Sequence, residues 1–185
     1  MPAKPNGKEE ITLEKQGVHL LMSEISTETT APTVEWILKN SMLEDPFSIL
    51  TLYINSPGGE IAAAFGLIDV MKGSPTPIRT IGIGEVCSAG LLIFIAGEKG
   101  ERILTPNTSI LSHQFNWGFW GKEHELQASQ RGVELTSEMI LTHYKKCTGL
   151  TQKKIKELLL PDSDQFLSAK EALEFGLCDQ VKALY

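Results

Sequence analysis

Apolar positions fall in short runs separated by breaks that carry glycine or proline, and their spacing alternates between strand-like and helix-like along the chain. Val18–Met22 (VHLLM) predicts a first strand. Pro32, followed by Val34, Trp36, Ile37, Leu38 and Leu43, predicts a helix with the proline near its first turn. Phe47–Ile54 (FSILTLYI) is a mostly apolar run of strand length, as expected for a strand covered on both faces. NSPGG then breaks the chain, and Glu60–Met71 predicts a helix with Ile61, Phe65 and Ile68 on one side. Further strands are expected at Ile78–Ile83, Glu101–Leu104 and Ser109–His113, with a short buried helix over Ser88–Ala96.

Lys122–Lys146 is the longest helical stretch, about 37 Å at 1.5 Å per residue. Its polar face is broad, so it is expected to project from the core and pack on a partner. Thr151 is placed to cap a helix reaching Leu160. Ser168 and Glu171 form a capping-box pair opening a helix that Gly176 ends, and Cys178–Leu184 is expected to close the sheet. The alternation as a whole indicates an α/β domain over residues 17–185, preceded by a polar leader at 1–16, with no internal repeat.

Composition narrows the function classes. The 185 residues suit one domain that builds a core without disulfides or metals. Seventeen Lys and Arg against 23 Asp and Glu give a net charge of −6, and no basic stripe is present, which argues against nucleic acid as partner. Cys87, Cys147 and Cys178 form no CxxC and no Cys/His ligand spacing. Free thiols in a reducing compartment are expected, with no metal and no cofactor. The N-terminal stretch has no apolar signal core and the longest apolar run, Leu91–Ala96, is far too short to span a bilayer. A soluble cytoplasmic protein with no membrane partner is expected.

Two strand-to-helix junctions are glycine-rich, NSPGGE at 55–60 and GIGEVCSAG at 82–90. Such turns expose unpaired backbone N–H groups and suit a phosphate or the oxyanion of an acyl-transfer intermediate. Neither matches GxxxxGK[ST] or GxGxxG, which disfavours nucleotides. The oxyanion reading needs a nucleophile, and Ser88 stands at the helix start. Serine in that position is also an ordinary helix cap. A serine nucleophile needs a base, itself oriented by a third group. Among His19, His113, His124 and His143, only His113 ends an expected core strand; His124 and His143 sit on the long polar helix and are expected to be solvated. Asp162, Asp164 and Asp179 follow as orienting carboxylates. The motif is not GxSxG and the chain order differs from that of α/β-hydrolases.

At these residues the sequence resembles the proteolytic subunit of the Clp protease, as a divergent member. YINSPGG (53–59), GEVCSAGLLIFIAGEKGERILTPNTSILSHQ (84–114) and DQFLSAKEALEFGLCDQV (164–181) resemble family blocks in the same order, within a match over roughly 48–182. The resemblance implies a crotonase-like α/β fold with a projecting handle helix, for which 122–146 is the counterpart. It implies a serine endopeptidase with Ser88 as nucleophile, His113 as general base and Asp164 as orienting acid. The oxyanion donors would be the amides of Gly59 and Ala89. Extended substrate would lie along Gln114–Trp120 as an added strand, with Gly58, Glu60, Gln114 and Phe115 contacting it. The implied partners are unfolded polypeptides, further copies of the chain in two stacked heptameric rings, and a hexameric AAA+ unfoldase that supplies ATP use.

Departures from the family pattern are local. The stretch ELLLPDSDQF is about two residues longer than usual before the aspartate, which leaves Asp162 as a rival to Asp164, although the D-x-F-L-S-A context favours Asp164. Ser163 stands where common members carry an Arg used between rings. HQFNWGFWG replaces the usual HQP and glycines, so Phe115, Trp117 and Phe119 would share one strand face, against a neighbouring subunit or a narrowed substrate channel. Alternatives remain: an inactive co-assembling paralogue, or a capsid-maturation protease of the same fold.

Overall fold

A computed structural model describes residues 12–184. In chain order it contains β1 (Val18–Leu21), α1 (Thr27–Ser41), β2 (Leu50–Ser56), α2 (Ile61–Gly73), β3 (Ile78–Cys87), α3 (Ala89–Ile95) and β4 (Arg102–Leu104). There follow β5 (Ser109–Ser112), α4 (Glu123–Thr148), α5 (Gln152–Leu158), β6 (Gln165–Ser168), α6 (Ala169–Glu174) and β7 (Gln180–Val181). Most of the polar leader, residues 1–11, lies outside the described residues, and Glu14–Gln16 form a single 3-10 turn.

Parallel pairing in the order β1-β2-β3-β4-β7 builds the main sheet. The expected α/β class is found. Strand β3 continues four residues past the expected end at Ile83, because the glycines there form a bulge and do not end the strand. Gly84 takes φ +64, and the β2–β3 register shifts between Ile54 and Ser56. Beyond this kink β3 changes partner. Thr80–Gly82 pair with β4, whereas Glu85–Cys87 pair with β5. β5 in turn carries β6 on its far side, antiparallel. The kink thus peels off a small second layer at the end of β3, and the two glycine-rich junctions meet there.

Helix α3 lies at the centre of the core, and all seven of its residues are buried. Its Leu91, Ile93 and Phe94 pack among Leu52, Ile54 and Leu104 of the strands. Each such side chain contributes about 1.5–3 kcal/mol on burial, so α3 is anchored by apolar contact along its length.

Several boundaries differ from expectation. α1 starts five residues before Pro32, since Ser26 and Thr29 form a reciprocal capping box through Thr29 N–H to Ser26 Oγ (3.3 Å) and Ser26 N–H to Thr29 Oγ1 (2.9 Å). Pro32 therefore sits in the second turn, where the carbonyl it leaves unpaired belongs to exposed Glu28. The strand expected over Gln114–Trp120 does not form; these residues run as an irregular loop with no strand beside them among the described residues. The closing strand shortens to Gln180–Val181. The first two thirds of α4, Glu123–Met139, bury no residue, while Ile140, His143, Tyr144 and Cys147 in its last third enter the core. His143 is thus a correction to the solvated position expected: the face at 140, 143, 144 and 147 follows helical spacing and turns inward. His124 is exposed, as expected.

Candidate active site

Strand pairing brings the expected residues together. Parallel β3–β5 register sets Cys87 opposite Leu111, and Ser88 N–H donates to Leu111 O at 2.8 Å. The residue after β3 and the residue after β5 consequently meet: Ser88 Oγ lies 2.8 Å from His113 Nε2. Antiparallel β5–β6 register sets Ser112 opposite Gln165, so the next residues outward are His113 and Asp164. His113 Nδ1 is 3.9 Å from Asp164 Oδ1, an ion-pair distance just outside hydrogen-bond contact. The side chains of His113 and Asp164 are 17% and 62% exposed, so the carboxylate sits at the rim with the imidazole beneath it.

Ser88 is not a cap. No side-chain capping bond is made at the start of α3. Its backbone adopts φ 53 and ψ −121, and among the described residues it is the only non-glycine with positive φ. A serine held this way stores on the order of 1–3 kcal/mol of strain, which burial of α3 sustains. The consequence is that Oγ points away from the helix axis and toward His113.

The 55–60 junction closes against this turn. A Cβ on Gly58 would lie 2.6 Å from Ser88 Cβ and 3.3 Å from Ala89 N, so only glycine allows the approach. Ile25 N–H donates to Gly58 O and Glu60 N–H to Ile25 O, both at 2.7 Å, which pins the turn to the segment leading into α1. Gly59, between these bonds, and Ala89, at the first position of α3, direct no backbone N–H to any acceptor among the described residues.

The remaining expected positions divide. Asp162 is not at His113; its Oδ1 accepts from Gln114 Nε2 at 3.4 Å. Gln114 also donates to Leu160 O (3.2 Å) and Pro161 O (3.1 Å), so its amide is committed to the loop before β6. Asp179 is removed from the site altogether. It receives Arg102 Nε and Nη2 at 2.8 and 2.7 Å, and the Gly100 N–H at 2.8 Å. Burial opposes its charge, but these donors prevail and hold its carboxyl below the usual range. Glu60 is the exposed residue before α2.

Beside His113 opens a groove of about 850 Å³ between the 114–117 segment, the middle of α4 and the start of α5. Phe115, Trp117, Ile140 and Leu141 form its apolar walls, and Asp162 stands on its edge. Phe115 and Trp117 therefore share one surface even without a strand. Phe119 is only half-buried and Trp120 is fully exposed.

Residues that the motifs did not single out support the site from below. Ser112 donates to Leu159 O (2.6 Å) and bonds Tyr144 OH (2.9 Å), joining β5 to α4 directly under His113. Full burial pushes the Tyr144 phenol up to about 12, so it stays neutral. Cys87, next to Ser88, is also a buried thiol whose pKa is raised, first by burial and then by Glu85, which keeps it unreactive. No group of three or more metal-binding side chains occurs among the described residues. No helix among them is long and apolar enough to cross a membrane.

A family model described as Clp protease matches residues 10–184. The chain is 36% identical over 138 residues to the ATP-dependent Clp protease proteolytic subunit of Deinococcus radiodurans, covering 75% of this chain and 67% of that one. It is equally similar, over the same shares, to the ATP-dependent Clp protease proteolytic subunit 2 of Thermobifida fusca.

Proposed function

The chain belongs to the Clp protease family, with the crotonase-type α/β sheet of that family, and from that premise we propose that it is an active serine endopeptidase working by an acyl-enzyme mechanism. The observation that carries the reading is the 2.8 Å contact from the strained Ser88 hydroxyl to His113 Nε2. In the first step Ser88 Oγ attacks the scissile carbonyl while His113 Nε2 takes its proton. Asp164 then faces the imidazolium and stabilises it; a small rotation of this exposed side chain closes the 3.9 Å gap. The carbonyl oxygen, now anionic, receives the free N–H groups of Gly59 and Ala89, each donor worth about 3–4 kcal/mol of barrier. His113 returns the proton to the leaving amine, and water hydrolyses the Ser88 ester by the same sequence.

Substrate is an unfolded polypeptide. The 114–120 loop has no strand partner among the described residues, and an extended peptide would pair along it with side chains reaching the groove walled by Phe115 and Trp117. The exposed first half of α4 supports a handle that packs between rings of further copies, forming a closed cytoplasmic chamber fed by an AAA+ unfoldase. Gly58, Glu60, Gln114 and Phe115 flank the substrate path, Gln114 through its backbone because its side chain is bound elsewhere.

Fluorophosphonate labelling combined with native mass measurement tests the proposal. Ser88 should be the labelled residue, and Ser88→Ala should assemble normally without hydrolysing peptide. Retained hydrolysis in that variant overturns the mechanism.

A further inference from the structure

His143 has no part in the chemistry just described, yet it is 8% exposed and forms one short hydrogen bond, from Nε2 to Leu92 O at 2.8 Å. Leu92 lies in the middle of α3, one turn after Ser88. In an unbroken helix its carbonyl would receive the Ala96 N–H, but that N–H bonds Ile93 O at 3.1 Å. Without His143 the carbonyl would lose this buried side-chain donor, at a cost of about 1–3 kcal/mol. Leu92 also faces the other way: its own N–H, like that of Leu91, donates to Ser88 O, at 3.2 and 3.0 Å. A continuous link therefore runs from α4 through His143 and Leu92 to the backbone of Ser88.

The imidazole is fixed on its remaining sides. The ring of Phe65, from α2, meets it edge-on at 5.5 Å and 77°. Cys147 Sγ, one turn along α4, is 3.9 Å from Nδ1 and 3.8 Å from Nε2. Burial pushes the pKa of His143 below the usual histidine range, the Leu92 carbonyl pulls the other way, and the nearby Lys72 and Lys146 charges add to the lowering. The ring is held neutral, and the tautomer with hydrogen on Nε2 satisfies the Leu92 carbonyl.

Resting on the serine-peptidase reading, we infer that His143 is a positioning residue: it ties the base of α4 to α3 and so sets the placement of Ser88 and of the Ala89 amide. Apolar packing holds α3 in the core, and on the sheet side it is tied by Ser88 N–H to Leu111 O and by the buried Thr80 hydroxyl to Phe94 O, both at 2.8 Å. The His143 bond, one turn from the nucleophile, adds the directed constraint from the α4 side.

His143→Gln keeps a donor near the Nε2 position, whereas His143→Leu fills similar space without one. Two readouts are followed at neutral pH: the rate constant for fluorophosphonate labelling, and hydrogen exchange of the peptide spanning 88–96. The Leu variant should label about tenfold or more slowly, as expected for a sub-ångström displacement of the nucleophile. It should also exchange faster in 88–96, with the α1 and β2 peptides unchanged, and the Gln variant should recover both. If the Leu variant does not assemble, His143→Asn replaces it, its shorter arm falling short of Leu92 O. Exchange in 88–96 identical to wild type overturns the inference whether or not the protein is a peptidase. So does wild-type labelling with only a lowered melting temperature, because it marks a merely structural role. Failure of the wild type itself to label, with faster exchange in the Leu variant, instead counts against the peptidase reading alone.

Discussion

Adding one methyl group at Gly58 should disable the site, while the same addition at Gly66 should stabilise the fold. Gly58 has φ +102, where an L side chain is strained by about 1–3 kcal/mol. Its new Cβ would sit 2.6 Å from Ser88 Cβ and 2.9 Å from Cys87 O. Carbon atoms pack at about 3.5–4.0 Å, so the 58–59 turn and the 88–89 turn must separate by about 1 Å. The Cys87 carbonyl is part of the β3 backbone and cannot swing aside. Overpacking of this kind costs a further ~1–3 kcal/mol, and together the two effects lower the melting temperature by roughly 4–24 °C in a chain of this size. The larger effect is on reactivity: a 1 Å displacement of Ser88 from the Gly59 amide should slow fluorophosphonate labelling by about 100-fold. Gly66 is exposed within α2 and a Cβ there meets nothing within 4 Å, so Gly66→Ala should gain about 0.5–1 kcal/mol. Labelling rate and melting temperature measured on both variants decide the matter. A Gly58→Ala protein that labels within about threefold of wild type, equivalent to less than 1 kcal/mol of barrier, would refute the claim that the two turns are packed as one unit.

Three other outcomes are expected. Asp164→Asn should reduce kcat for peptide hydrolysis by about 100-fold or more, and Asp162→Asn should leave it within a few-fold, since Asp162 bonds Gln114 and not His113; the reverse ranking would exchange their roles. Asp179→Asn should weaken the bidentate pair with Arg102, which is buried and also donates to Cys147 O at 3.0 Å, and lower stability in urea unfolding by about 3–5 kcal/mol. Stability should also fall in acid through His143: its folded pKa is depressed, so the unfolded chain takes up a proton first, below about pH 6.5, and stability is lost as pH drops from there through the lower folded value. His19 is shifted the same way by burial, against a smaller opposing effect of Glu14, and adds to the loss. Melting temperature against pH should be flatter in this window for His143→Gln than for wild type.

What the sequence made legible was governed by local signals. The NSPGG break, the apolar runs of β2 and β3, and the Ser168–Glu171 capping box all act over a few residues and are found, although β2 begins at Leu50 and not Phe47 and both strands end later than expected. What it obscured depended on pairing across long separations. Strand β6 carries only one buried side chain, Leu167, in four residues, and exists because β5 presents an edge for it. The burial of His143 needs α3 on the other side of the ring. Strand form at 114–120 needs a neighbour that the described residues do not provide. The Ser88–His113 pair was legible by position, but its geometry comes from the β3 kink at Gly84, whose glycine reads locally as the end of a strand.

The same long-range pairing decides which aspartate faces His113. In the observed register Leu167 lies opposite Ile110 and Phe166 opposite Leu111. Leu167 is buried, whereas Phe166 is exposed. Sliding β6 by two residues would bring Asp162 opposite His113 and keep every side chain on its own face of the sheet. It would also put Gln165 in the buried slot of Leu167. That exchange forfeits about 1.5–3 kcal/mol of apolar burial and leaves a side-chain amide to be satisfied in the core, for about 1–3 kcal/mol more. A one-residue slide is worse, because it turns Leu167 to solvent. Several kcal/mol therefore hold the register that presents Asp164. The two additional residues of ELLLPDSDQF are taken up before the strand, in the irregular segment that receives Gln114. The length change that makes the aspartate ambiguous in sequence is absorbed where no pairing constrains it. The placement of Asp164 beside His113 is thus selected by the burial of Leu167, three residues along and within the same D-x-F-L-S-A stretch.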